Sequence, residues 1–371
     1  MSYVVVRKAT YDEGVLTPLF FEMMEAIGGD GIERGSRVLV KPNLLSPALP
    51  EQALLTHPAV VRAAVDFVLH KGAKPVVADS PAIGSFKMIL RDSGIGRALE
   101  GLDVVMKPFQ ESVKVDVGAP FDFIEIATEA VRADYIINLP KLKTHGQMLL
   151  TLGVKNMFGC IVGFRKPEWH LRTGVDREMF ARLLVQIYRR INPAFTVLDG
   201  ILAMEGEGPG KSGIPRTVGM LIGSRDAFAV DEAVCRMIGL DPRNLPTLRV
   251  ARTPGAPGEP LEIDGSLPVV RDFKLPDVAP LVFGPKMLQG LIRKHVVQRP
   301  VPDDSRCTLC GECEKFCPAH AISRQGKSLR FDYDRCIRCY CCVEICPYGA
   351  LHAVETLPGR FIRRALTNYF K

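Results

Sequence analysis

No stretch of the 371 residues approaches the roughly 18 uninterrupted apolar side chains that a membrane-crossing helix needs, so no integral membrane segment is expected. The N-terminus, MSYVVVRKATYDEG, holds only three valines in a row before its charges begin, and reads as a first strand and not as an export signal. The 48 basic and 41 acidic residues are spread along the chain. No Arg/Lys platform interleaved with aromatics appears, which argues against nucleic acid. Cysteine is nearly missing before residue 307: only Cys160 and Cys235 occur there, and both read as core thiols. Cys160 stands near the candidate site described below, so a catalytic role for it stays open. The remaining cysteines crowd between Cys307 and Cys346 in short, regular spacings. With no export signal, metal binding explains them better than disulfides, and the cytoplasm is the expected compartment.

What is present suits two or three domains with a sizeable core, since 47% of the chain is apolar and 24% charged. Residues 1–252 alternate short apolar strands with amphipathic helices. Strands are expected at Tyr3–Arg7, Arg37–Lys41, Pro75–Asp79, Asp103–Met106, Tyr135–Leu139, Phe195–Asp199 and Thr217–Ile222. Helices are expected at Leu16–Ile27, Ala59–His70, Phe180–Arg190 and Ala227–Ile238, with Thr56-His57-Pro58 opening the second. This alternation implies an α/β domain on a parallel sheet covered on both faces. Residues 253–302 form a proline-rich connector in which Met287–Val297 could be one helix. Residues 303–356 form a small α+β module, and 357–371 a short basic helical tail, read as solvated or docked rather than lying on a membrane surface.

The module repeats itself after 29 residues. Cys307-x2-Cys310-x2-Cys313-x3-Cys317-Pro318 recurs as Cys336-x2-Cys339-x2-Cys342-x3-Cys346-Pro347. In such a run the first three thiolates wrap one iron cubane and the fourth, before proline, completes the neighbouring one. Cys307, Cys310, Cys313 and Cys346 are therefore expected to hold one 4Fe-4S cluster, and Cys336, Cys339, Cys342 and Cys317 the other. A pair of zinc sites is the plainer alternative, but zinc has no use for the doubled pattern. Cys341 is an extra thiol outside the spacing. Two such clusters, each near −2 when oxidised, would bring the formal charge of +7 to about +3. The module resembles bacterial two-cluster ferredoxins over about 50 residues.

In a parallel sheet, ligands bind beyond the carboxyl ends of the strands. There the sequence places Lys41-Pro42-Asn43, Asp79-Ser80, Lys141-Leu142-Lys143-Thr144-His145 and Asp199-Gly200. If the strands are neighbours, Lys41, Lys141, Lys143, His145 and Lys155 face Asp79, Asp199 and Glu205. Lysines in a cluster suit a carboxylate or phosphate, and Asp and His can move protons. The bland reading is that strand-end Asp caps a helix and lysines are solvated. Recurrence at one structural position favours a site, with Lys41, Asp79, Lys141, Lys143, His145, Lys155 and Asp199 as its candidates. Gly206–Gly213 is not a Walker A loop, because its first glycine position is Glu205; it reads as a flexible loop over the crevice. No G-x-G-x-x-G follows a strand. Trp169 and His170 sit in a polar stretch, Arg165–Arg177, read as a lid loop.

The large domain resembles the domain-of-unknown-function 362 family. The matching stretches are Val38–Leu44, Thr56–Pro58, Val77–Pro81, Ile137–His145, Val154–Gly159, and Asp199-Gly200 with Glu205–Pro209. The resemblance implies an α/β domain that often carries a C-terminal dicluster module. It implies no catalytic residues. The expected function is a redox enzyme passing electrons from two 4Fe-4S clusters to a small anionic substrate or cofactor in the crevice. The alternatives are an electron carrier whose large domain docks a partner oxidoreductase, and a factor that assembles clusters or cofactors. A donor or acceptor protein is expected as partner. A flavin or other second cofactor is left open.

Overall fold

The computed structural model describes residues 2–163, 165–173, 176–252, 260–276 and 295–360. Among these residues, twelve strands build the large domain: β1 (Ser2–Lys8), β2 (Arg37–Pro42), β3 (Lys74–Asp79), β4 (Val105–Pro108), β5 (Ser112–Gly118), β6 (Asp122–Ala127), β7 (Tyr135–Leu139), β8 (Lys141–His145), β9 (Leu149–Thr151), β10 (Phe195–Gly206), β11 (Gly213–Ser224) and β12 (Leu261–Gly265). Its helices are α1 (Glu13–Ala26), α2 (Pro58–His70), α3 (Phe86–Asp92), α4 (Ile95–Ala98), α5 (Thr128–Arg132), α6 (Gly153–Asn156), α7 (Arg165–Thr173), α8 (Arg177–Ile191), α9 (Ala227–Met237) and α10 (Pro246–Ala251).

The main sheet runs β12-β1-β11-β10-β7-β2-β3-β4, with β8 and β9 branching from β10. From β10 to β4 it is parallel, as the sequence implies. Beyond β10 it is mixed: β11 is antiparallel to both β10 and β1. The reason is local, because only residues 207–212 join β10 to β11. So short a loop can make a hairpin but not a parallel crossover. β10 also runs past the expected end at Asp199, through a register shift between Gly200 and Leu202, so Asp199 lies within the strand.

Alternation along the strands builds a core on each face. Val38 and Val40 of β2 pack with Leu16, Phe20 and Met23 of α1 and with α2. Leu39 of the same strand points the other way, into a cluster with Phe180, Leu183, Leu184 and Ile187 of α8. Burial on both faces explains the unbroken apolar run of β2. Each such side chain contributes about 1.5–3 kcal/mol by leaving water. His57 is the N-cap of α2, accepting from Ala59 N at 3.2 Å, and Pro58 takes the first helical position, where no N–H is needed.

Two further expectations change. Arg165–Thr173 is helical, and Trp169 and His170 are buried: Trp169 meets Phe121 edge-on at 5.7 Å, and His170 lies 4.3 Å from the Phe180 ring. Pro167 is tolerated because it sits in the first turn. Inside the proline-rich segment, Leu261–Gly265 forms β12 and pairs parallel with β1, its Asp264 accepting from Tyr3 and Arg7. Most of the expected helix Met287–Val297, and the tail beyond Arg360, lie outside the described residues.

The C-terminal module has two antiparallel pairs, β13 (Arg299–Pro302) with β16 (Leu351–Val354) and β14 (Ile322–Gln325) with β15 (Ser328–Phe331). Its short helices are α11 (Glu312–Lys315) and α12 (Cys341–Ile345). The 29-residue repeat is written into the backbone: Leu309 and Arg338 share φ of 55° and 59°, and Gly311 and Tyr340 share φ of 81° and 57°. No helix among the described residues is long and apolar enough to cross a membrane.

Candidate functional site

The tight loops of the repeat gather its cysteines around two small cavities. Cys307, Cys310, Cys313 and Cys346 line one; Cys317, Cys336, Cys339 and Cys342, with Cys341, line the other. These are the two quartets that the crossed spacing implies. Ala321 N donates to Cys317 Sγ at 3.3 Å and Ala350 N to Cys346 Sγ at 3.2 Å, equivalent bonds in the two copies. Backbone donors of this kind stabilise thiolate charge. Among the described residues no three His, Cys, Asp or Glu side chains converge on a single-ion site. The thiols of each quartet line a small space instead. The residues present therefore fit two four-iron clusters.

One crevice of the large domain opens against this module. Its floor is the carboxyl ends of β2 and β3, where Lys41 and Asp79 form a buried ion pair at 2.9 Å. Asp79 also accepts from Leu44 N and Ser80 N, both at 2.8 Å, and Lys41 donates to Pro42 O at 2.9 Å. Gly159 lies directly over the pair: a Cβ there would stand 2.5 Å from both Lys41 Nζ and Asp79 Oδ1. Beside the floor runs a ladder of amides. Asn43 Nδ2 donates to Asn156 Oδ1 at 2.9 Å, Asn156 Nδ2 to Asn138 Oδ1 at 2.8 Å, and Asn138 Nδ2 to Gly153 O at 3.0 Å. Its open end is Asn43 Oδ1 at the crevice.

Lys143, Lys155 and Lys166 complete the cationic wall. Lys143 donates to Leu54 O at 2.8 Å, and Lys166 to Ser80 O. Burial, reinforced by Lys155, pushes Lys143 down to about 7. Burial likewise pushes Lys166 down to about 8, although Asp79 opposes it. Lys155 is also lowered by burial. It makes no hydrogen bond to a described residue, yet its charge acts on Lys143, His145, Lys166, His170 and Glu344. The module supplies the opposite wall through Phe316, Cys341, Glu344 and Ile345. Three of these adjoin cluster-type cysteines in sequence: Phe316 precedes Cys317, Cys341 precedes Cys342, and Ile345 precedes Cys346.

Glu344 reaches across to His145. Nδ1 of His145 accepts from Gln147 N and Met148 N at 3.0 and 3.1 Å, so its proton sits on Nε2, facing Glu344 Oε1. Burial pushes His145 down to about 4, and it is neutral at pH 7. Burial opposes the Glu344 charge too, but the facing imidazole and Lys155 outweigh it and hold the carboxyl below its usual range. The loop after β10 packs against the same helix: a Cβ on Gly210 would lie 2.6 Å from Glu344 O. Gly210 therefore serves close approach to the module. Apart from Glu344 Oε1, which faces His145, three buried atoms lining the crevice have no hydrogen-bond partner among the described residues, namely Asn43 Oδ1, Thr151 Oγ1 and His170 Nδ1. Buried polar atoms are seldom left so. With a surplus of ammonium groups, they describe a space shaped for a polar anion.

The candidates from the sequence thus divide. Lys41, Asp79, Lys143 and Lys155 line the crevice, and His145 supports it through Glu344. Lys141 and Asp199 do not line it. They are fully buried and paired at 2.7 Å, with Tyr11 donating to Asp199 at 2.8 Å, His57 N at 2.9 Å, and the Tyr11 and His57 rings stacked at 3.5 Å. Every partner there is satisfied, which is the signature of scaffold. Glu205 is bound by Arg216 at 2.7 Å, away from the crevice. Cys160 and Cys235 are fully buried in the core, where burial pushes Cys160 up to about 12. Lys166, His170, Thr151 and Glu344 are additions. Glu344 could be found in the sequence only as a carboxylate at the place held by Lys315 in the first copy.

The arrangement defines a class: an α/β domain whose crevice is closed by a C-terminal 4Fe-4S dicluster domain, the latter matched by its family model over residues 299–347. The chain belongs to the domain of unknown function 362 family, whose model matches residues 38–236. A thylakoid-associated protein of Synechocystis sp. is 36% identical over 306 residues, covering 80% of this chain and 95% of that protein. Over the module alone, pyruvate synthase subunit PorD of Methanocaldococcus jannaschii is 37% identical across 58 residues, 15% of this chain and 67% of that one. Electron transport protein HydN of Escherichia coli is 42% identical across 69 residues, 17% and 38% respectively. A solved lactate racemase apoprotein from Thermoanaerobacterium thermosaccharolyticum superposes with a TM-score of 0.38 at 12% identity, covering 61% of this chain and 55% of that one.

Proposed function

We propose that this protein is an iron–sulfur redox protein that reduces, or takes electrons from, an anionic organic ligand held in the crevice between its α/β domain and its dicluster module. The observation that carries the reading is the shared wall: residues adjoining Cys317, Cys342 and Cys346 line the same space as Lys41, Lys143, Lys155 and Lys166. We assign Cys307, Cys310, Cys313 and Cys346 to one cluster and Cys317, Cys336, Cys339 and Cys342 to the other. When bound, such clusters supply one-electron transfer. The chain's own residues do the rest. Lys143, Lys155 and Lys166 hold the anion, Asn43, Thr151 and His170 orient its polar atoms, and Phe316, Ile345 and Pro209 keep water out. Cys310 is exposed, which suits a donor or acceptor protein docking at the far end of the module. The name of the HydN relative, an electron transport protein, supports such a partner. The same exposure favours a second reading, a pure carrier between partner proteins. We place the protein in the cytoplasm, and the name of the Synechocystis relative suggests that it works near a membrane surface.

The test is anaerobic reconstitution followed by calorimetry with sulfate and then with small carboxylates. Binding that Lys155→Met weakens tenfold or more, together with a dithionite-dependent change in a bound carboxylate, supports the enzyme. A crevice that binds no anion, with electrons still passing between partner proteins, supports the carrier.

A further inference from the structure

Resting on the reading above, we infer that the crevice is coupled to the quartet of Cys317, Cys336, Cys339 and Cys342, not to that of Cys307, Cys310, Cys313 and Cys346, and that Cys341 is the side chain through which the coupling runs. Cys341 borders both spaces. It lines the crevice and it lines the second thiol cavity, and no other described residue does both. Among the described residues, the first thiol cavity shares no lining residue with the crevice. Between ligand and second quartet the wall is one buried side chain thick, Cys341 being 7% exposed.

The repeat explains why one copy alone is turned inward. Cys341 occupies the place that Glu312 holds 29 residues earlier, and the backbone entering both positions is left-handed, at Gly311 and Tyr340. The side chains differ where the backbone does not. A carboxylate at 341 would set a fixed negative charge between Lys155 and the second quartet. A thiol is smaller, uncharged when protonated and polarisable, and lets the crevice approach. The same helix, α12, then places Glu344 and Ile345 in the crevice wall. The first copy faces outward instead: Cys310 is exposed and Tyr348, beside its cavity, is 47% exposed. The module is therefore polar, with an outer quartet for a one-electron donor protein and an inner quartet for the crevice. For each electron the ligand gains, that donor is oxidised by one electron, and no bond to the protein is made.

The test uses the full chain reconstituted anaerobically, with the two cluster signals followed by electron paramagnetic resonance during redox titration. Lys155→Met removes a cation from the crevice and lowers one midpoint potential while leaving the other in place. Glu312→Gln removes a carboxylate from the outer copy and raises the other. Cys341→Val moves the signal that Lys155→Met moves. The inference is overturned if Lys155→Met moves both signals alike, if it moves the one that Glu312→Gln moves, or if Cys341→Val moves neither. Should Cys341→Val not assemble, iodoacetate on the folded holoprotein replaces it. Carboxymethylation mapped to Cys341 must move the inner signal; no labelling there, or labelling without a shift, also overturns the inference. Sulfate calorimetry separates this from the parent reading. A protein that binds no sulfate but shows the one-signal shift retains the coupling and loses the function. One that binds sulfate while both signals move together does the reverse.

Discussion

Lys143 should take up a proton when the crevice binds an anion. Its side chain is 1% exposed and donates to a single carbonyl, and its pKa is lowered from 10.5 to about 7. That lowering corresponds to roughly 5 kcal/mol working against the ammonium form. The group is charged below pH 7 and loses its charge as pH rises through that value. At pH 7.5 it is about one-quarter protonated, and a bound dianion that restores its usual affinity for protons draws in about 0.75 proton. Lys166, lowered only to about 8, adds roughly 0.25. His145 and His170, held near 4 and 3, contribute nothing at this pH. Sulfate is the suitable probe because it stays a dianion across the range. Calorimetry in two buffers of different ionisation enthalpy should give about one proton per sulfate for the wild type and about 0.25 for Lys143→Met. Affinity should weaken by up to about a hundredfold per pH unit above 8 in the wild type, where both lysines take up close to one proton each, and by up to about tenfold in Lys143→Met. Binding without proton uptake, or uptake that survives Lys143→Met, would refute the reasoning.

Other perturbations separate floor, scaffold and core. Lys41→Met leaves Asp79 buried without its ammonium and should cost about 3–5 kcal/mol in urea unfolding. Gly159→Ala, whose methyl would press on both members of that pair, should destabilise the protein and weaken sulfate binding together. Asp199→Asn strips the charge that Lys141 and Tyr11 share; it should lower the melting temperature while the folded protein keeps its sulfate affinity within about threefold, since the pair does not line the crevice. Phe180→Ala, in the core beneath α7, should cost about 3–5 kcal/mol by opening a cavity.

The regular parts of the fold were legible because periodicity is a local signal. β2, β3, β7 and the helices α1, α2, α8 and α9 follow their apolar spacing to within a few residues. Where tertiary context decides, the pattern misleads. Asp199 and Gly200 look like a strand end, yet β10 continues through an irregular register because β11 folds back on it. Arg165–Thr173 looks like a polar loop, yet Trp169 and His170 anchor it as a helix on Phe121 and Phe180. β12 was hidden among prolines, since an edge strand needs few ladder bonds. In the site, the lysines of β2 and β8 could be seen in the sequence, but not that Lys141 turns into a closed network while Lys143 faces the crevice. Nor does spacing reveal which face of the repeat meets the large domain, so Glu344 and Cys341 carried no mark of their place beside Lys155.

The measurement that bears most directly on all of this is the metal and labile-sulfide content of protein purified without oxygen. Two cubanes in the paired quartets predict about eight iron and eight sulfide per chain and a brown solution whose cluster signals appear on reduction. Colourless protein carrying zinc, or about four iron per chain after full reconstitution, would contradict it.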